Sequence, residues 1–266
     1  MKSPLRDQIR AAEAHAANAV PASHLQIVDG WRLRYNHGVT RRANSVLAEG
    51  HSAETSLDAK LADVEAFYQQ FGVSPRFQVT PVSQPSQLAE ALRAHGYRHA
   101  AAVDVLSVPV TTLQHHAVGR EGLEPHLYPT LEPDWFSHYL RAEPHEGFKA
   151  EVRRRMLNHL VTPARFATVT DTTIDNPAAE NQNEPLAVGL GVVEGGWLGI
   201  FNVATFPAAR RRGAATTLLA ALADWAARQG ATNVYLQVGQ GNTPAQTLYR
   251  RLGFAPFYQY HYYERD

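Results

Sequence analysis

The chain has 266 residues, of which 44% are hydrophobic and 19% charged; this balance is typical of folded proteins and excludes an intrinsically disordered chain. Lys plus Arg and Asp plus Glu both total 25, so no global field favours nucleic acid or membranes, and we expect neither as a partner. The absence of cysteine excludes disulfides and suits a reducing compartment. With no apolar stretch of membrane-spanning length and no secretory leader, the sequence predicts a soluble, cytoplasmic protein.

The first half of the chain predicts helices that alternate with short strands. The predicted helices cover residues 4–20, 57–71 and 86–95, and the predicted strands cover 25–35, 43–48, 76–80 and 100–108. Residues 109–130 are rich in Pro, Gly and His. Because turn formers cluster there, this stretch predicts a linker between two domains, 1–115 and 116–266.

The second half repeats this alternation more strongly. The predicted helices cover 132–142, 147–160, 214–228 and 244–252, and the predicted strands cover 164–170, 186–193, 197–204, 234–238 and 257–263. The polar stretch at 171–185 predicts an exposed loop. Together these elements predict an α/β fold with a mixed central sheet flanked by helices.

The two halves resemble each other. In the second half a helix ends at Gly230, a strand follows, and the next helix ends at Gly253; in the first half the corresponding glycines are Gly72 and Gly96. The stretch QQFGVSPRFQV also resembles ARQGATNVYLQV. We interpret this pattern as a tandem duplication, although similarity this short can also arise by chance.

The stretch FPAARRRGAATTLL, residues 206–219, combines three arginines with a nearly bare turn that leads into a helix. A helix N-terminus offers unpaired N–H groups and a positive dipole. Small residues would let an anion approach those N–H groups closely. The alternative is a solvated basic cluster, which is the usual reason for a charge run.

The wider context of this stretch resembles the GNAT superfamily of N-acetyltransferases. The loop Arg210-x-x-Gly213-x-Ala215 is followed by a predicted strand at 234–238 and then by Asn242-x-x-Ala245-x-x-Leu248-Tyr249. This resemblance covers the last third of the chain well and implies the acyl-CoA N-acyltransferase fold. It implies that the loop binds the pyrophosphate of acetyl-CoA. The implied cofactor-binding residues are Val203, Ala204, Thr205, Arg210, Arg211, Arg212, Gly213, Ala214, Ala215 and Asn242.

The resemblance further implies direct transfer of an acetyl group from acetyl-CoA to a primary amine, with Tyr249 protonating the departing thiolate. The spacing of the 13 histidines, which includes no HExxH, gives little support to a metal site, so no metal is predicted. The acceptor could be a small molecule or a lysine or N-terminus of a protein, and the protein a monomer or homodimer. No Glu or Asp lies in the strand 197–204, so the general base is not identified; Glu194, Asn202 and His261 are weak candidates.

Structural alternatives exist for these residues and for the function. Asn242 could cap a helix, and Tyr249 could be a core residue. In the first half, equal counting places Thr55 opposite Gly213, with Glu54 in place of an arginine, and Leu92 opposite Tyr249. We therefore interpret the first half as a degenerate copy without the cofactor loop. The alternative function is a non-catalytic CoA-binding sensor or scaffold.

Overall fold

The computed structural model describes residues 4–50, 55–173 and 184–265. The chain divides into two compact units. Unit 1 comprises the residues up to Val105, Val238–Gly241 and the residues from Pro256 onward; unit 2 comprises Leu106–Gln237 and Asn242–Ala255. The chain therefore leaves unit 1 and returns to it twice.

Unit 1 is built from three helices and most of six strands. The helices are α1 (Pro4–Ala19), α2 (Leu57–Gln69) and α3 (Leu88–Ala94), and the strands are β1 (His24–Val28), β2 (Trp31–Tyr35), β3 (Val46–Ala48), β4 (Arg76–Val79), β5 (Arg98–Pro109, which continues into unit 2) and β11 (Ala255–Glu264). The strand order is β1-β2-β3-β4-β11-β5. The β3–β4 pair is parallel, while β1–β2, β2–β3 and β4–β11 are antiparallel. This unit thus has a mixed sheet.

The two faces of the unit 1 sheet differ in chemistry because strand side chains alternate. Phe77 of β4 packs into a hydrophobic core with side chains of α2 and α3. The next residue, Gln78, donates from its amide to Glu13 of α1 (2.7 Å), and Tyr258 of β11 donates to the same carboxylate (2.7 Å). Glu13 is fully buried, and this burial raises its pKa. One face is therefore apolar, and the other contains a buried polar network.

Unit 2 contains the remaining elements. These are α4 (Val110–His116), β6 (Leu123–Tyr128), α5 (Pro133–Ala142), α6 (Gly147–Asn158), β7 (Ala164–Asp171), β8 (Ala187–Glu194), β9 (Trp197–Thr205), α7 (Ala214–Arg228), β10 (Asn233–Gly239, whose last residues belong to unit 1) and α8 (Thr243–Arg251). The strand order is β10-β9-β8-β7-β6. The β9–β10 pair is parallel and the others are antiparallel.

Helix α7 packs closely against β8. A Cβ atom on Gly189 would lie 2.8 Å from Leu218 Cδ2, and one on Gly191 would lie 2.8 Å from Leu222 Cδ2. Real Cβ atoms do not approach that closely, so a larger residue at either position would force the leucine side chains of α7 to shift. Packing of α7 therefore explains the sequence Gly189-Leu190-Gly191, which lies within a strand as predicted.

The ends of corresponding helices in the two halves share one hydrogen-bond pattern. After α3, Gly96 N–H donates to Arg93 and Tyr97 N–H to Leu92; after α8, Gly253 N–H donates to Arg250 and Phe254 N–H to Tyr249. The same pattern follows α2 at Gly72 and α7 at Gly230. All four glycines have positive φ, the conformation of a left-handed helix C-cap. These caps support the proposed duplication, and the boundary at 115/116 stays a prediction.

Most predicted elements are confirmed, and α7 has the bounds that the sequence predicts. The prediction of a linker at 109–130 is wrong, because this stretch contains α4 and β6. Pro109 is the N-cap residue of α4, and Pro125 lies in β6, the strand at the end of the sheet order. Proline is tolerated in both places because its missing N–H is not needed there. Most of the predicted loop at 171–185 lies outside the described residues.

Candidate active site

Strand β9 ends in a β-bulge. Val188 of β8 pairs with Ala204 and Leu190 with Phe201, so Asn202 and Val203 both lie opposite Gly189. Asn202 has a φ of 54°, which few residues other than glycine adopt. The parallel ladder between β9 and β10 ends at Ile200, whereas β9 continues to Thr205. The predicted cofactor residues Val203, Ala204 and Thr205 thus form a strand end beyond the ladder with β10, and all three are half-buried.

The loop between β9 and α7 leaves a row of backbone N–H groups without acceptors. After a short 3₁₀ turn at Pro207–Ala209, Arg211 has a φ of 66° and Gly213 a φ of 92°. Gly213 is the N-cap of α7 and provides no side chain to cap it. In the described part of the chain, the N–H groups of residues 211–216 donate no hydrogen bond. They lie at the positive end of a 15-residue helix, which favours an anion there.

The arginines of this loop differ in what their side chains do. Arg210 and Arg211 are exposed to solvent. The guanidinium of Arg212 instead forms an ion pair with Asp171 of β7, whose pKa is lowered first by hydrogen bonds from Thr173 and then by Arg212. The contribution of Arg212 to ligand binding would therefore come from its backbone N–H.

Arg120 adds a further cation that no sequence motif indicates. Its backbone N–H donates to Thr217 Oγ1 of α7 (3.1 Å), and its Nη1 donates to the carbonyl of Arg212 (3.1 Å). A Cβ on Gly213 would lie 3.2 Å from Arg120 Cδ, so the side chain passes directly beside the bare turn. Arg120 lies in the stretch interpreted as a linker, which is why sequence patterns gave no signal for it.

Asn242 caps helix α8. Its Oδ1 accepts a hydrogen bond from Ala245 N–H at 3.2 Å, and the residue is exposed. This contact agrees with the structural alternative considered from the sequence. The side-chain nitrogen of Asn242 points to no described partner, so cofactor contact through that atom stays a prediction.

Tyr249 lies in the last turns of α8 and is 8% exposed. Its ring packs edge-on against Phe254, with 5.6 Å between the ring centroids. Burial raises the pKa of Tyr249 to about 12. Within the described ranges the hydroxyl makes no hydrogen bond, and solvent reaches it. Tyr249 is therefore a core residue by its ring, yet its proton is available.

A buried arginine, which no sequence motif indicates, approaches the bulge of β9. Arg153 of α6 is 3% exposed. Its Nη2 donates to Asn202 Oδ1 (2.6 Å) and its Nε donates to the hydroxyl of Tyr139 (2.9 Å). Tyr139 in turn donates to Glu143 (3.1 Å), and burial raises its pKa to about 12. The buried positions of α6 are Val152, Arg153, Met156 and Leu157, a spacing that places Arg153 on the apolar face.

The three weak candidates for the general base lie in three different strands, β9, β8 and β11. Asn202 is bonded to Arg153, and Glu194 ends β8. His261 lies in unit 1, where its Nδ1 is 3.1 Å from His99 Nε2. No group of three or more His, Asp or Glu side chains placed to hold a metal ion occurs in the described ranges.

The corresponding positions in unit 1 have different chemistry. The N-cap of α2 is Ser56, whose hydroxyl accepts from Ala59 N–H at 3.2 Å, and Asp58 lies in the first turn. Residues 51–54, including Glu54, lie outside the described residues. Leu92, which aligns with Tyr249, is fully buried. A side-chain cap and a carboxylate at the start of α2 both oppose anion binding there.

Comparison with known proteins matches this chain to acetyltransferases. The family described as "Probable histone acetyltransferase Rv0428c C-terminal" matches residues 7–263. The chain is 28% identical over 260 residues to "Uncharacterized N-acetyltransferase YobR" from Bacillus subtilis (strain 168), an alignment that covers 96% of this chain and 98% of that relative.

Two solved structures have similar folds. A GCN5-related N-acetyltransferase from Kribbella flavida superposes with a TM-score of 0.71 at 14% identity, covering 100% of this chain and 96% of that one. A tandem GNAT protein from the clavulanic acid biosynthesis pathway has a TM-score of 0.60 at 13% identity, covering 78% of this chain and 68% of that one. The predicted fold class, a mixed sheet flanked by helices, is confirmed. No helix in the described part of the chain could span a membrane.

Proposed function

The chain belongs to the family described as "Probable histone acetyltransferase Rv0428c C-terminal", within the GNAT superfamily of N-acetyltransferases, and we propose that unit 2 transfers the acetyl group of acetyl-CoA to a primary amine. It is an acyltransferase by this membership. The observation that carries the proposal is the row of N–H groups at residues 211–216 that donate to no described acceptor.

The residues at the start of α7 fit a pyrophosphate. Unpaired N–H groups and the helix dipole attract an anion, and Gly213, Ala214 and Ala215 leave its approach open. Arg210 and Arg211 are exposed and Arg120 lies beside Gly213, so charge-assisted hydrogen bonds could come from the rim. The bulged end of β9, at Val203 to Thr205, would align the pantetheine arm by backbone hydrogen bonds.

The proposed reaction needs the protein to position the amine and to protonate the leaving thiolate. Acetyl-CoA supplies a thioester, and the amine nitrogen forms a bond to its acetyl carbon while the C–S bond breaks and the thiolate leaves. We assign Tyr249 the role of general acid, donating its hydroxyl proton to the sulfur. Its pKa of about 12 keeps that proton in place at neutral pH. The proton lost by the amine passes to water in this proposal, since no described carboxylate is assigned as the base, and water returns a proton to the Tyr249 phenolate.

The acceptor class is open between small amines and protein amines. The name of the matching family mentions a histone acetyltransferase, which describes that family's namesake. For this chain we propose a primary amine as the acceptor.

Cofactor binding and turnover test the proposal separately. Coenzyme A at about 100 times its Kd should stabilise the protein by about 2.7 kcal/mol and raise Tm by roughly 5 to 10 °C. Acetyl-CoA with a broad amine panel should release free thiol. Absence of a Tm shift at saturating coenzyme A would overturn the proposal, whereas binding without thiol release from any amine would favour the sensor or scaffold function.

A further inference from the structure

Arg153 is a buried cation without a carboxylate partner. Its side chain is 3% exposed, and within the described ranges no Asp or Glu lies within ion-pair distance of it. Buried arginines are normally paired, because an uncompensated charge in the interior is costly. Arg153 is held instead by neutral groups, the hydroxyl of Tyr139 and the amide oxygen of Asn202.

The guanidinium of Arg153 has N–H groups that donate to no described residue. Of its N–H groups, one on Nε and one on Nη2 are used, which leaves both on Nη1 and the second on Nη2. Nη1 makes no hydrogen bond to any described residue, and solvent reaches it. The free edge formed by Nη1 and Nη2 has the spacing that binds both oxygens of a carboxylate.

The charged groups around Arg153 leave this corner positive. His145 has its pKa lowered by burial first and then by repulsion from Arg153, while Glu143 opposes this shift and Lys149 adds to it. The acid Glu143 accepts the hydroxyl hydrogen of Tyr139 and is linked to Arg153 through that tyrosine. Arg154 and Arg155 are paired with Glu151 on the exposed side of α6.

The position of this cation relates it to the proposed acetyl-transfer site. Asn202, which accepts from Arg153, is the bulge residue directly before Val203. A ligand carboxylate on the free edge of Arg153 would therefore lie next to the strand end that we assign to the pantetheine arm. A cation here also lowers the pKa of a nearby amine, which increases the fraction of the neutral nucleophile.

We propose that Arg153 binds the carboxylate of the acceptor, so that the acceptor is a small molecule bearing both an amine and a carboxylate. The inference rests on the proposed acetyltransferase function and specifies its substrate class. Arg153 thereby determines specificity, and Tyr139 and Asn202 orient its guanidinium.

Matched acceptor pairs test this inference. Amino acids and ω-amino acids are compared with their amides and with alkylamines of equal length, using acetyl-CoA and thiol release. The best carboxylate acceptor of the wild type should exceed its uncharged partner at least 10-fold in kcat/KM. In Arg153→Gln this ratio should fall to about 1, while KM for acetyl-CoA stays within about twofold. Arg153→Lys keeps the positive charge but loses the two parallel N–H donors of the guanidinium, so its ratio of kcat/KM values should be intermediate.

Arg154→Gln is the matched control, because it removes the neighbouring cation from an exposed ion pair with Glu151 and should leave the ratio unchanged. If Arg153→Gln does not fold, as judged by its Tm, Arg153→Lys and Asn202→Ala carry the test. Calorimetric titration of the same acids and amides into the wild type measures binding without turnover, so a failure of acetyl transfer is distinguishable from a failure of carboxylate recognition. Equal binding and equal kcat/KM for acids and amides, or a preference that survives in Arg153→Gln, would overturn the inference.

Discussion

Both units contain a buried arginine held by neutral side chains, yet the two arginines differ in what they leave open. In unit 1, Arg34 donates to Ser45 and to Gln78, and its Nη1 is enclosed and makes no hydrogen bond to a described residue. In unit 2, the corresponding nitrogen of Arg153 is reached by solvent. A polar network that is enclosed by protein contributes to the core. A network whose unused N–H groups are reached by solvent can instead bind a ligand.

The helix starts differ in the same way. The N-terminus of α2 is closed by Ser56 and carries Asp58 in its first turn, while α7 begins with Gly213 and two alanines. The helix ends, by contrast, have the same hydrogen-bond pattern in both units. The scaffold positions are therefore alike, and the difference lies in the few side chains that point at a potential ligand.

The largest expected difference between the units concerns Tyr249 and its counterpart Leu92. Tyr249→Phe should lower kcat by about 10²-fold or more, because it removes the proposed acid, and leave Tm nearly unchanged. Leu92→Ala should instead lower the free energy of unfolding by about 2 to 5 kcal/mol, because it opens a cavity in the core, and leave kcat unchanged at a temperature where the variant is folded. Steady-state kinetics and urea unfolding measure the two effects.

The pH profile sharpens this first comparison. Since burial raises the pKa of Tyr249 to about 12, wild-type kcat should show no loss from deprotonation of this group below about pH 11. An unchanged kcat in Tyr249→Phe would show that Tyr249 is not the general acid.

The next effect concerns Glu49 of unit 1, which lies near Arg32 at 3.7 Å. Burial raises its pKa from 4.5 to about 7. Between these two values the unfolded chain ionises this group while the folded chain keeps it protonated, so its stabilising contribution is present below pH 4.5 and is lost as pH rises through about 7. The loss should approach about 3 kcal/mol.

Urea unfolding followed by tryptophan fluorescence from pH 4 to 8 measures this effect. Glu49→Gln should flatten the profile over that range, and Glu151→Gln, which changes a half-buried carboxylate of unit 2 in an ion pair with Arg154, should not. A wild-type stability that rises between pH 5 and 7 and is unaffected by Glu49→Gln would contradict the prediction.

The smallest expected effect comes from a substitution that makes the start of α7 resemble the start of α2. Ala215 is the second residue of α7, as Asp58 is of α2. Ala215→Asp should stabilise the ligand-free helix by about 0.3 to 1 kcal/mol and weaken coenzyme A binding about 10-fold or more, because the carboxylate repels the pyrophosphate. Asp58→Ala is the matched control and should leave the Kd for coenzyme A unchanged. Calorimetry gives both Kd values, and equal affinities in Ala215→Asp and wild type would place the cofactor elsewhere.

Prediction from sequence succeeded where local chemistry sets the structure. The long apolar periodicity of α7 and the glycine that follows it defined its bounds, and the spacing of loop, Asn242 and Tyr249 indicated the family. Arg120 and Arg153 were missed because their roles depend on contacts between elements distant in the chain, with Arg212 and Asn202 respectively. The available sequence signal for Arg153 was a charged residue at an apolar helix position, beside Val152 and Met156.

The membership of β11 in unit 1 has a consequence for how the chain acquires its structure during synthesis. Glu13 and Tyr258, which share a hydrogen bond, are 245 residues apart in the sequence. At about 5 to 20 residues per second, a ribosome needs roughly 10 to 50 s to make the intervening chain. For that interval α1 would hold a carboxylate without its tyrosine partner, so the unit that begins first is completed late. Unit 2, whose residues end at Ala255, has its whole sequence available before unit 1 does.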